Sequence, residues 1–254
     1  MQRPEGADPS VFDASSALDL PPPYRLVSLR ELGDAHAHAC QIAWQAGAGT
    51  FVWVRRYDTL EIAVVLEPEE QLAAARRAFF LGMAALADAV AAHCPPEKAL
   101  TFDWPDTIRL DGARIGGGRL GWPERCREDD VPPWLVFSAM LMAAKPDSEA
   151  AGPAPSSTSF EDEGFDPDAR ERVAESFARH LLWYSDQYES DGFAPIAASF
   201  LGRLACPDES ARLGIGGNGD LVLDREHPGR RRRPLVPKLR SPGWLDLETG
   251  SVRR

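Results

Sequence analysis

Residues 103–120 read DWPDTIRLDGARIGGGRL and gather groups that could act on a charged ligand. Arg114 is a cation able to take a carboxylate or phosphate through two parallel N–H bonds. Gly116, Gly117 and Gly118 follow it, and glycine lets a backbone approach a ligand closely. Asp106 could hold Mg2+ or close a turn. Plainer roles are open to the same residues: a solvated turn for Arg114, a bulge or flat strand packing for the glycines.

Other clusters promise less chemistry. His36, His38 and Cys40 look like metal ligands, but on a helix residues two apart point to different faces, so no metal site is expected. Ser138 and Ser199 lack the G-x-S-x-G setting of a nucleophile elbow. Gly214–Gly219, GIGGNG, lacks the strand–turn–helix context of a dinucleotide fold and reads as a hairpin turn.

The elements that must position these residues alternate. Tyr24–Leu29, Gly49–Arg56 and Leu60–Pro68 are strand-like runs, the last two joined by a tight hairpin at YDT. Gly33–Ala48 is alanine-rich and helical. Leu72, Phe79, Met83, Leu86 and Val90 mark a second helix that Cys94-Pro95-Pro96 ends. Three short strands around turns cover residues 99–120, and Pro133–Leu141, wholly apolar, reads as a central strand. Asp166-Pro167 reads as the cap and first turn of a helix striped by Val173, Phe177, Leu181, Tyr184 and Tyr188; Gly192 ends it and another helix follows. The fold class is therefore α/β (α+β), a mixed sheet flanked by helices, with a small C-terminal β domain. Residues 1–20 form a loose N-terminus, 21–205 the main domain and 206–254 the small domain, beginning near Cys206. The Pro/Ser-rich connector 145–165 is expected to be mobile and exposed.

Composition narrows the classes. A net charge of −11 lacks the basic footprint of a nucleic-acid-binding protein. No segment reaches the roughly 20 apolar residues of a membrane span, and the first residues lack the apolar run of a signal peptide. Four scattered cysteines read as reduced thiols, which suggests a cytoplasmic protein.

The order of strands, helix, FDWPDTIRLDGARIGGG and apolar strand resembles the biotin and lipoate protein ligases. Biotin ligases carry K-W-P-N-D at a strand end, then a hairpin of the form D-G-K-K-I-G-G-I-L. Trp104 and Pro105 match; Asp103 stands at the lysine, Asp106 and Thr107 at the asparagine and aspartate, and Arg114 at the reactive lysine of the hairpin. Residues 175–196 resemble the family's late helix and its exit, and the last 50 or so residues its small barrel. The family also has a long G-R-G-R-R-G loop between the strands matching residues 49–56 and 60–68. Here that interval is RRYDT: Arg55 and Arg56 remain, and the glycines are missing.

The resemblance implies ATP-dependent attachment of biotin or lipoate to a lysine of a carrier-protein acceptor domain, through an acyl-adenylate. ATP and Mg would be the cofactors. It implies that Arg114 is catalytic and that Arg55, Arg56, Trp104, Asp106, Gly116, Gly117 and Gly118 bind ligand or nucleotide. Joining two anions calls for cations and a metal, and arginine keeps the charge of lysine without being interchangeable with it. A second reading is a non-catalytic relative that binds a small carboxylic acid or an acyl-carrier domain; the altered motifs and missing loop favour it, and the preserved strand–turn–glycine hairpin favours the ligase. A third is an ATP-independent acyltransferase, for which Cys126 is the nearest thiol.

Overall fold

The computed structural model describes residues 18–145, 156–205, 212–224 and 231–253. A seven-stranded sheet organises the chain, with β1 (Arg25–Leu29), β2 (Thr50–Arg55), β3 (Thr59–Leu66), β4 (Leu100–Asp103), β5 (Thr107–Leu110), β6 (Ala113–Gly121) and β7 (Leu135–Met142) in the order β1-β2-β3-β7-β6-β5-β4. Only β1 and β2 run parallel, so the sheet is mixed, as expected. The apolar β7 is its fourth and central strand. At the β5–β6 hairpin Asp111 and Gly112 both have positive φ, 45° and 81°, the pairing that a two-residue turn of matching twist demands.

One face of the sheet carries α2 (Leu72–Ala75), α3 (Ala78–His93), α4 (Ala169–Asp191) and α5 (Ala194–Arg203). An aromatic seam joins them to the sheet: Phe137 lies between Phe79 and Phe177, and Phe200 between Phe80 and Phe102. α3 is buried on nearly every side, so its apolar residues mark a core helix more than one stripe.

The opposite face is shared. α1 (Ala35–Ala46) lays Ala35, Ala39 and Ala43 on Val52, Val54, Ala63, Val65 and Val136. Asp34 caps it by accepting the Ala37 N–H at 2.8 Å. Beyond α1 the face is covered from the C-terminus by Trp244 and Leu245, which pack with Val252 and Met142. These belong to β11 (Leu245–Asp246) and β12 (Ser251–Val252), preceded by the three-stranded sheet β8 (Arg212–Ile215), β9 (Leu221–Asp224), β10 (Arg231–Arg233) and the short α6 (Val236–Arg240). Leu221, Leu223, Leu235 and Leu239 join the main core.

Three local expectations change. Residues 156–165 are packed rather than loose: Thr158 N–H donates to the Arg114 carbonyl at 2.7 Å, Phe160 stacks on Phe165, and Ser157, Thr158 and Ser159 are buried, because β6 offers an open edge segment to pair with. The remainder of the connector, and the boundary near Cys206, lie outside the described residues. At the N-terminus Leu18 is buried and Asp19 is held by Glu175 and Arg179, while residues 1–17 lie outside the described set. The cap of α4 falls at Asp168, two residues past Asp166. Among the described residues no helix is long and apolar enough to cross a membrane.

Candidate functional site

Each residue singled out from the sequence has a definite place, and the hairpin is the first surprise. Arg114 donates from Nη1 to the Arg253 carbonyl at 3.0 Å, its strand edge is taken by Ser157, and its buried Nε is sealed from solvent. Burial, and after it Arg109, depress its pKa. Asp103 is spoken for by Arg109 at 2.7 Å. Trp104 stacks on Phe80 and meets Phe200 edge-on, so it is part of the core.

Asp106 is 2% exposed and accepts from Thr107 Oγ1 at 3.1 Å and from the Gly243 N–H at 3.3 Å. Burial pushes its pKa up to about 6. One carboxylate oxygen is taken by the neighbouring Thr107 hydroxyl and the other clasps the C-terminal segment at Gly243, so both are committed and the site does not fit Mg2+. Among the described residues no group of three His, Cys, Asp or Glu side chains could hold a metal ion.

The three glycines serve the same clasp. A Cβ on Gly117 would lie 2.0 Å from the Asp106 carbonyl and 2.4 Å from the Trp244 ring, so glycine is what admits the indole, whose N–H donates to the Gly118 carbonyl at 3.2 Å. The Cβ directions of Gly116 and Gly118 are filled by the Met140 carbonyl and by Met83 with Phe137. The glycines thus bring the chain close to itself.

The open space lies elsewhere, on the α1 face. A cavity of about 440 Å3 runs between the N-terminus of α1, the β3–β7–β6 floor and a roof of Trp244, Leu245, Thr249 and Gly250. Of the residues chosen from the sequence, Arg56 lines it; Arg55 ends β2 on the exposed surface, and Trp104, Asp106, Arg114 and the glycines do not border it. Arg56 is bound bidentately to Asp58 at 2.9 and 3.0 Å, and its carbonyl accepts from Arg170.

The floor of this cavity holds a polar cluster that no sequence motif announced. His36 Nδ1 and Ser138 Oγ are 2.7 Å apart, and Cys40 Sγ is 3.8 Å from His36 Nε2. Arg119, on the strand that carries the glycines, stands beside them. Among the described residues no acceptor lies within hydrogen-bond or ion-pair reach of its guanidinium; burial lowers its pKa, and Asp34, Cys40 and Glu61 act on it only at a distance. The Glu61 carboxylate accepts the Ala35 N–H at 2.7 Å at the start of α1, and burial drives its pKa up to about 7. Burial, then Arg119, holds His36 down at about 4, so the imidazole is neutral.

This arrangement suits anion binding better than acyl transfer. A neutral imidazole beside a guanidinium is a poor proton acceptor, and its second nitrogen faces a thiol instead of an orienting carboxylate. Cys40 is pushed up to about 11 by burial, and the Cys126 thiol is also raised, so neither is an activated nucleophile. An unpaired guanidinium facing open space is a ready partner for a carboxylate or phosphate. The signals in the sequence were the i, i+4 spacing of His36 and Cys40, and one arginine in the otherwise uncharged run GGGRLG.

Comparison with known proteins places this geometry in a family. A model of the biotin/lipoate A/B protein ligase family matches residues 20–202. A biotin--[acetyl-CoA-carboxylase] ligase of Paracoccus denitrificans is 30% identical over 158 residues, 60% of this chain and 63% of that protein, so the likeness spans somewhat under two thirds of the relative. A biotin protein ligase-like protein of unknown function from Silicibacter sp. TM1040 superposes with a TM-score of 0.75 at 28% identity, over 87% of this chain and 98% of the other. The biotin protein ligase of Aquifex aeolicus, solved with biotin and ATP, gives a TM-score of 0.60 at 13% identity, over 82% and 94% of the two chains, which is a likeness of fold.

Proposed function

The chain belongs to the biotin/lipoate A/B protein ligase family, and on that premise we propose that it binds a small carboxylic acid in the α1-face cavity without activating it. The observation that carries this reading is the contrast between two cations. Arg119 faces open space with no protein acceptor among the described residues, whereas Arg114, in the place of the family's reactive lysine, is tied to the Arg253 carbonyl away from the cavity.

Adenylation needs a cation at both the carboxylate and the α-phosphate. Arg56 lines the cavity but is neutralised by Asp58, and Asp106 is committed to Gly243. The hairpin's own cation, Arg114, is turned to the Arg253 carbonyl and does not border the cavity, so it is not placed to serve a phosphate there. The role that remains is recognition of an acid of the biotin or lipoate class, or of an acceptor domain carrying one.

Calorimetric titration with biotin, lipoate and octanoate, each with and without Mg-ATP, tests this. The expected result is binding of at least one acid, unchanged by Mg-ATP, with no acid-dependent exchange of pyrophosphate into ATP. Acid-dependent exchange would establish the ligase reading, in which Arg56 and Arg114 serve the nucleotide and a carrier-domain lysine takes the acyl group. Absence of binding by all three acids would overturn acid recognition.

A further inference from the structure

The cavity also has a direction. Its floor carries Arg119 and the neutral Ser138–His36 pair. Its other cation, Arg56, is occupied by Asp58, and the carboxylates of Glu31, Asp34, Asp58 and Glu61 also line it; Asp34 and Glu61 act on Arg119 at a distance, without an ion pair, and Glu61 is held by the Ala35 N–H. A ligand carboxylate held beside these acids would be repelled, whereas one at Arg119 would meet a guanidinium with no acceptor among the described residues, and a hydroxyl.

The apolar surface lies elsewhere along the lining. Trp244 and Leu245 form the roof, and Leu32 and Tyr57 line the cavity while standing 102% and 72% exposed. Leu247, between two roof segments, is 56% exposed. Exposed apolar side chains gathered on one opening are a place for a hydrocarbon chain to lie.

We infer that the cavity takes its acid carboxylate-first, with the carboxylate on Arg119 and Ser138 and the apolar tail leading out past Trp244 to Leu32 and Tyr57. The inference rests on the acid-binding reading above and adds an orientation and a specificity. A ligand so placed hides its carboxylate from any nucleotide at the mouth, which gives a physical reason for recognition without activation. It also excludes acids whose carboxylate is already converted to an amide, because the guanidinium would then stay half-buried and uncompensated.

Isothermal titration of the full chain with octanoate and with octanamide at pH 7.5 tests the orientation. Octanoate is expected to bind at least tenfold more tightly. Arg119→Met should remove that preference by weakening octanoate at least tenfold while leaving octanamide unchanged. Ser138→Val should weaken octanoate at least fivefold. Arg119 also borders a more open cleft with Trp122, Glu124 and Arg240; octanoate binding that needs Arg119 and ignores Ser138→Val would put the anion there and overturn the inference. Octanoate and octanamide binding within threefold of each other would overturn it while leaving acid binding intact, and absence of binding by octanoate, biotin and lipoate alike would overturn both readings. Circular dichroism checks that each variant folds, and Arg119→Gln and Ser138→Ala replace a variant that does not.

Discussion

Arg114 and Arg119 sit five residues apart on the same strand and live in opposite circumstances. Arg114 lies in a region closed by its own chain: a carbonyl from Arg253, a paired strand edge at Ser157, the Asp106 clasp and the Trp244 indole over Gly117. Arg119 opens into a cavity with no acceptor near it among the described residues. Motif similarity points to the first arginine; the local chemistry points to the second. A motif can outlast its use as a binding site when its glycines, which admit a ligand, serve equally well to admit a tryptophan.

The sharpest way to break this contrast is at Gly117. Gly117→Val places side-chain atoms on the Asp106 carbonyl and the Trp244 ring, and a loss of about 4 kcal/mol or more in unfolding free energy is expected from urea denaturation. A neutral result would mean that the strand has slack and that the glycines are not there for packing.

Glu61 tests the charged side. Its folded pKa of about 7 lies above its ordinary 4.5, so the native state binds the proton more tightly than the unfolded chain does. The cost of ionising it is absent below about pH 4.5, grows as pH rises to about 7 and is constant above. Glu61→Gln, which keeps an acceptor for Ala35 N–H, should stabilise the protein by about 1–3 kcal/mol at pH 8, with the gain vanishing near pH 4.5. His36, lowered from 6.5 to about 4, works with the opposite sign and loses stability as pH falls through that range. The wild type should therefore look flatter between pH 4.5 and 6.5 than Glu61→Gln, whose stability should fall on acidification. A pH-independent gain would place Glu61 outside the coupled cluster.

Much of the frame could be read from the sequence. Strand alternation, the YDT and Asp111-Gly112 turns, the Pro95–Pro96 stop and the glycine end of α4 are local signals with local causes. The glycine run was legible as a place of close approach, though not what approaches: Trp244 comes from 127 residues further on. The polar floor was hidden for the same reason. Ser138 and His36 are 102 positions apart and meet only because α1 crosses over β7. The pair that meets on α1 is His36 with Cys40, four residues apart. Residues 156–165 misled because polar composition suggests exposure, whereas strand β6 had hydrogen bonds to offer them.

Trp244→Phe gives a smaller and more local probe. It removes the N–H donated to the Gly118 carbonyl and trims the cavity roof. A loss of about 1–2 kcal/mol is expected from thermal or urea unfolding, together with a modest weakening of octanoate. Smaller still is Arg114→Ala, which gives up one hydrogen bond at a half-exposed site. It should cost less than about 1 kcal/mol and leave acid affinity within twofold.

The most direct measurement is a parallel calorimetric titration of octanoate into wild type, Arg114→Met and Arg119→Met. Two isosteric removals of the same charge from one strand leave position as the only variable. Arg114→Met is expected to bind within twofold of wild type and Arg119→Met at least tenfold more weakly. The opposite result, with Arg114→Met weakened and Arg119→Met unaffected, would return the site to the hairpin and contradict the account.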